Sequence, residues 1–119
     1  MTDIDMQWLI DGVSHPGTQI SFARMRLKAG AIASTHSHPN CDEVIYIVSG
    51  KAVVSIEGDR HALLAGDSVR VPAHAVHHIE ASADEGADIV LSFSNGTRIY
   101  EAVPEPAPAR AELRLPSRA

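Results

Sequence analysis

One cysteine, Cys41, is all the thiol in this 119-residue chain, so no intrachain disulfide can staple the fold and a reducing compartment is expected. Aromatic residues make up only 4% of the sequence, too few for a surface on which nucleobases stack. Lys and Arg number 10 against 15 Asp and Glu, with no basic cluster, and the formal charge of −5 argues against holding a phosphate backbone. No apolar run approaches the ~18 residues of a membrane span. The N-terminal stretch, with Asp3, Asp5 and Asp11, lacks the pattern of a signal peptide. Nucleic-acid and membrane partners are therefore not expected, and a cytoplasmic protein is. A 3.6-residue apolar period is missing too, so no substantial helix is expected.

What the chain does have is a series of short apolar or alternating runs. They cover residues 20–27, 32–38, 43–48, 52–56, 62–64, 68–71, 76–81 and 89–94. Turn signals separate them, among them Ser49-Gly50-Lys51, Glu57-Gly58-Asp59, Ala65-Gly66-Asp67 and Pro72-Ala73-His74. Short strands punctuated at about this spacing predict a sandwich or barrel, with a tight hairpin at Glu57-Gly58-Asp59. One domain is expected, with its core over about 20–100 and an irregular or strand-like lead-in over 1–15. From Val103 onward, Pro104, Pro106, Pro108 and Pro116 rule out a central strand and predict an extended arm. Within that arm, residues 109–115 have the composition for one turn of helix or a short edge strand.

The segment from Gly30 to Gly50 carries the chemistry. His36 and His38 stand at i and i+2, on one side of a strand, because side chains alternate. A four-residue connection then brings up Glu43, and His77 follows in a later run. Three imidazoles and a carboxylate suit one divalent transition metal per chain: Fe, Mn, Ni, Co or Zn. Four protein ligands on an octahedral ion leave two positions open for chemistry. Glu43 heads the apolar run Val44-Ile45-Tyr46-Ile47-Val48, where an uncompensated carboxylate is costly.

The pattern Gly30-(x5)-His36-x-His38-(x4)-Glu43-(x6)-Gly50 resembles the first cupin motif at every fixed position. Gly66-(x5)-Pro72-x-His74-(x2)-His77 resembles the second motif more loosely, 15 residues on, as in small single-domain cupins. The resemblance implies an all-β jelly-roll barrel, the double-stranded β-helix. It also implies His36, His38, Glu43 and His77 as metal ligands. Two positions depart from the family pattern: His74 stands where a glycine is usual, a place that needs a positive φ, and Ala81 stands where an asparagine is common. Neither is a ligand, so metal binding should survive both changes, which bear instead on the substrate side of the pocket.

Other side chains are placed by alternation. His74, at a turn by the barrel mouth, is the candidate general acid or base. His78 should face outward, and His15 and His61 should be surface residues. Cys41, beside Asp42 and Glu43, lacks the electropositive setting of a reactive thiol. Arg24 and Arg26 are expected outside, with Met25 and Leu27 inside; turned inward, one guanidinium could clamp a carboxylate. Tyr46 is expected outside, and Trp8 should anchor the N-terminal arm. The cavity face should carry Glu43, Ile45 and Ile47, with His77, Ile79 and Ala81, and from a third strand Val54 and Ile56 or else Val53 and Ser55. The expected function is a small metalloenzyme acting on a small polar or carboxylate-bearing molecule, of lyase, isomerase or dioxygenase type. The alternative is a non-catalytic module that holds a small metabolite through its metal. The apolar outer side of residues 44–48 predicts a homodimer.

Overall fold

The computed structural model describes residues 3–104 and the backbone of 113 and 114. Among these every regular element is a strand: β1 (Ile4–Ile10), β2 (Ser21–Leu27), β3 (Ile32–Ser37), β4 (Glu43–Ile56), β5 (Asp59–Leu64), β6 (Ser68–Val71), β7 (His77–Ala81), β8 (Ala87–Phe93), β9 (Glu101–Ala102) and β10 (Leu113–Arg114). No helix is long and apolar enough to cross a membrane. Two antiparallel layers share β4. The first runs β1-β2-β8-β4-β6, and the second runs β9-β3-β7-β4-β5. This is the all-β jelly roll the motifs imply.

One strand replaces two expected ones. The runs 43–48 and 52–56 do not turn at Ser49-Gly50-Lys51; they form a single 14-residue strand. Its first half pairs with β8 and β6, its second half with β7 and β5. A register shift between Ile47 and Ser49 marks the bulge at which β4 leaves one layer for the other. Gly50 takes φ +83 there, so the turn residues serve as a bend within a strand. The hairpin at Glu57-Gly58 forms as expected: Ile56 pairs with Asp59, and both loop residues have positive φ.

The core lies between the layers, where Ile45, Ile47, Ile89, Leu91 and Phe93 of one face Val54, Leu63 and Ile79 of the other. Met25 and Leu27 point inward, as alternation predicts. The lead-in is strand β1, paired with β2 along its length. Of the C-terminal arm, Val103 is tied to the barrel by its N–H, which donates to Thr35 O at 3.1 Å. Leu113–Arg114 forms a short parallel edge strand beside β5. Residues 105–112 and 115–119, the rest of the expected arm, lie outside the described residues.

Candidate metal centre

His36, His38, Glu43 and His77 converge: each offers one ligand atom, all four atoms lie within 4.8 Å of one another, and all four side chains are buried. They come from both layers. Glu43 opens β4, His77 opens β7, and His36 and His38 lie on and just past β3. Simple alternation would not put both imidazoles inside, because Ala33 and Thr35 are buried as well. A one-residue register shift between Ala33 and His36, against β7, resolves this. The bulge inserts a residue and flips the parity, so that His36 and His38 join the inward set, as bulges beside functional sites often do.

Each ring is fixed from behind. The Nδ1–H of His36 donates to Ser34 O at 2.7 Å, that of His38 to Ile99 O at 2.8 Å and that of His77 to Ala75 O at 2.9 Å. A carbonyl can only accept, so each Nδ1 carries the proton and a neutral ring turns its Nε2 lone pair toward the centre. The bulge itself supplies the Ser34 carbonyl. His77 Nε2 then faces Glu43 Oε1 at 2.9 Å, and His38 Nε2 lies 3.3 Å from the same oxygen. His38 Nε2 is buried with no hydrogen-bond partner. Lone pairs set against a buried carboxylate repel unless a cation lies among them. Neighbouring donors about 2.1 Å from a shared ion sit ~3 Å apart, and these spacings match. The donor set therefore fits a divalent transition metal.

The electrostatics agree. Burial is the largest influence on Glu43 and pulls its pKa upward. N–H donation and positive charge presented to it from the His38 and His77 side outweigh burial and put the carboxyl at about 2, the effect that a bound cation would have between neutral rings. Burial pushes His36 down to about 4, with His77 and His38 adding to the effect and the Ser34 contact opposing it. In the metal-free protein both groups make acid destabilising. A His lowered in the folded state lets the unfolded chain bind the proton first, so its contribution is full above its ordinary 6.5 and drains away towards pH 4. The Glu43 contribution drains lower, from its ordinary 4.5 towards 2. Urea unfolding of metal-stripped protein should therefore show about 2 kcal/mol less stability at pH 5 than at pH 7. Equal midpoints would contradict the buried neutral His36.

The remaining expected residues lie apart from the centre. His74 takes φ 71, the strained conformation expected where a glycine is usual. Its N–H donates to His38 O at 2.9 Å, while its side chain is exposed and does not line the cavity beside the centre. His78 faces outward to Glu80, 3.0 Å away. His15 is exposed and His61 half-buried. Arg24 makes a two-point ion pair with Asp88, which Arg26 also approaches, so neither reaches the centre. Cys41 is buried, and burial pushes its thiol pKa up, with Glu43 and Asp42 adding to this. Tyr46 is exposed on the outside.

The cavity next to the four donors measures about 170 Å³, room for roughly five or six waters at ~30 Å³ each. Met6, Met25, Ile79, Leu91 and Phe93 give it apolar walls. Of the expected cavity face only Glu43 and Ile79 line it. Ile45, Ile47, Val54 and Ala81 are buried in the core instead, because the barrel interior behind the centre is filled. Two lining residues, Arg98 and Tyr100, carry polar groups that alternation could not place, since they follow β8 in an irregular segment. Tyr100 stacks on His36 with ring centres 4.4 Å apart and planes 18° apart. The only sequence signal for the pair was an Arg and a Tyr flanking the apolar Ile99 just past the last strand.

Comparison with known proteins follows the same lines. The Cupin domain family model matches residues 23–93, which span every candidate ligand. The Pectin degradation protein KdgF of Dickeya dadantii is 32% identical over 65 residues, covering 55% of this chain and 58% of that protein. The Polyketide synthase CurC of Streptomyces cyaneus is 27% identical over 90 residues, covering 76% of this chain and 58% of its own. The chain thus spans under three fifths of the length of these two relatives. Among solved structures, the Lactobacillus farciminis oxalate decarboxylase in its formate complex superposes with a TM-score of 0.77 at 25% identity, over 87% of this chain and 32% of that one.

Proposed function

The chain belongs to the cupin domain family, and from that premise we propose that it is a metal-dependent enzyme acting on a small, carboxylate-bearing organic molecule. The observation that carries this reading is the orphaned Nε2 of His38, buried beside the Glu43 carboxylate with its ring already fixed from behind. A bound Fe, Mn, Co, Ni or Zn ion would supply Lewis acidity there, and redox chemistry where the ion allows it. The protein's own part is orientation and exclusion: three clamped imidazoles and one carboxylate hold the ion, and the apolar walls limit water. The open cavity of about 170 Å³ beside the donors has room for a small molecule. The formate complex of the oxalate decarboxylase shows that a related barrel accepts a small carboxylate.

Metal content tests the proposal. Protein purified without added ions should carry close to one ion per chain, and turnover of a small carboxylate should disappear when that ion is removed. Failure to retain any ion after zinc or ferrous loading would overturn the reading. Metal retention with small carboxylates bound but never turned over would favour the alternative, a metal-dependent binding module.

The apolar outer side of β4 belongs to the same proposal. Val44, Tyr46 and Val48 are each more than two fifths exposed on the outward face of that strand, and a second copy of the chain is the partner proposed to cover them. Light scattering at tens of micromolar should give a dimer mass; a single monomeric mass would remove the proposal.

A further inference from the structure

Arg98 differs from the other arginines whose side chains are described. Arg24 and Arg26 share Asp88, Arg60 meets Glu80, and Arg70 meets Asp42. Arg98 forms no ion pair among the described residues; the acidic group whose charge acts on it most is Glu43, on the same cavity. It is half-buried and lines the same cavity as His36 and Glu43. An Arg with no ion pair of its own at a partly desolvated wall is a site for an anion.

Its position is built in rather than accidental. The guanidinium carbon lies 5.0 Å from the ring centre of Trp8, 5.3 Å from that of Phe93 and 5.3 Å from that of Tyr100. Three aromatic faces hold the charge without consuming its hydrogen bonds, and no carboxylate of the described residues occupies its N–H fork. The backbone is fixed as well. Asn40, in the loop between His38 and Glu43, donates from its side-chain amide to Thr97 O at 2.7 Å and accepts from Ile99 N at 3.0 Å. Those two bonds bracket Arg98. The loop that ends in the Glu43 ligand thus also sets the register of the arginine, and β1 contributes Trp8 to the aromatic cage.

We propose that Arg98 is the carboxylate-binding residue of this cavity, with Trp8 and Asn40 as its positioning residues. The assignment deepens the functional reading above and rests on it. A small acid that offers one oxygen donor to the metal centre would place its carboxylate on the Arg98 fork. Hydroxy acids of five or six heavy atoms match the 170 Å³ available.

The test uses the metal-loaded protein and two matched probe pairs, glycolate against glycolamide and lactate against lactamide, with binding measured by calorimetry. The wild type should bind at least one acid about tenfold or more tightly than its amide, because a charged hydrogen-bond pair is at stake. Arg98→Met should erase that preference while metal content stays the same, and Arg98→Lys should restore part of it. Trp8→Leu should weaken acid binding and leave amide binding unchanged. If acid and amide bind alike to metal-loaded wild type, or if Arg98→Met loses both equally, the carboxylate assignment falls and the metal reading stands. If the protein retains no metal, the functional reading falls, and acid binding that still depends on Arg98 would leave the assignment intact.

Discussion

His77→Ala is expected to carry no more than about half of the metal carried by the wild type under the same conditions, and to lose most of the thermal stabilisation that metal confers. His77 is 1% exposed and supplies one of the four converging donor atoms. Losing even a group that supports a ligand from behind typically costs 10- to 100-fold in metal affinity, so losing a ligand should cost about 100-fold or more. Consider an ion present at about 100 times its dissociation constant, which stabilises the folded state by about 2.7 kcal/mol. A 100-fold weaker site under the same conditions contributes about 0.4 kcal/mol. For a domain of this size the difference is a fall of roughly 10 °C in the metal-induced shift of the melting temperature. The comparison is made within each variant, loaded against stripped, so the cavity left by the missing imidazole cancels. Elemental analysis and paired melting curves would decide it. A His77→Ala protein that kept its ion and its full shift would mean that the four side chains are a packing cluster and not a metal centre.

Three of those four residues were readable in the sequence because their spacing reflects strand geometry: two imidazoles two apart, a short connection, then a carboxylate; His77, in a later run, was fixed by the resemblance to the second motif. The way they come to face inward was not. The buried Ala33 and Thr35 assign the wrong parity to His36, and only the bulge between them and β7 corrects it. A bulge is one unpaired residue with no side-chain signature of its own, so no reading of alternation would find it. Arg98 and Tyr100 were missed for a related reason. They lie in an irregular segment whose shape is dictated by Asn40 across the molecule, through contacts 57 and 59 residues apart in the chain. Turn chemistry, by contrast, was legible wherever it was local. The two-residue hairpin at Glu57-Gly58 follows from rules that involve only neighbouring residues, whereas the positive φ at His74 was expected from the resemblance, which has a glycine at that position.

Gly50 is the place where a correct local reading gave the wrong element, and it yields the second large prediction. A glycine between two apolar runs reads as a turn, yet here it is the bend at which one strand passes between layers. A Cβ at position 50 would lie 1.9 Å from Gly86 O and 2.9 Å from Gly86 C, on top of a φ of +83. Gly66 makes the control: its φ is +92, and nothing lies within 4 Å of its Cβ position. Gly66→Ala should cost only the strain of the left-handed backbone, about 1–2 kcal/mol. Gly50→Ala adds to that strain the displacement of backbone at the start of β8, for a loss of about 4 kcal/mol or more, a large fraction of the total stability of such a domain. Denaturant midpoints of the two variants measure the difference, and similar losses at both sites would show that the crossing is not tightly packed. The consequence reaches the metal centre. Glu43 sits on the half of β4 paired with β8, while His77 pairs with Ile56 on the other half. The angle between those halves sets how the carboxylate meets the imidazoles. Any Gly50→Ala protein that does fold should therefore also hold its ion less tightly, whereas Gly66→Ala should bind it as the wild type does.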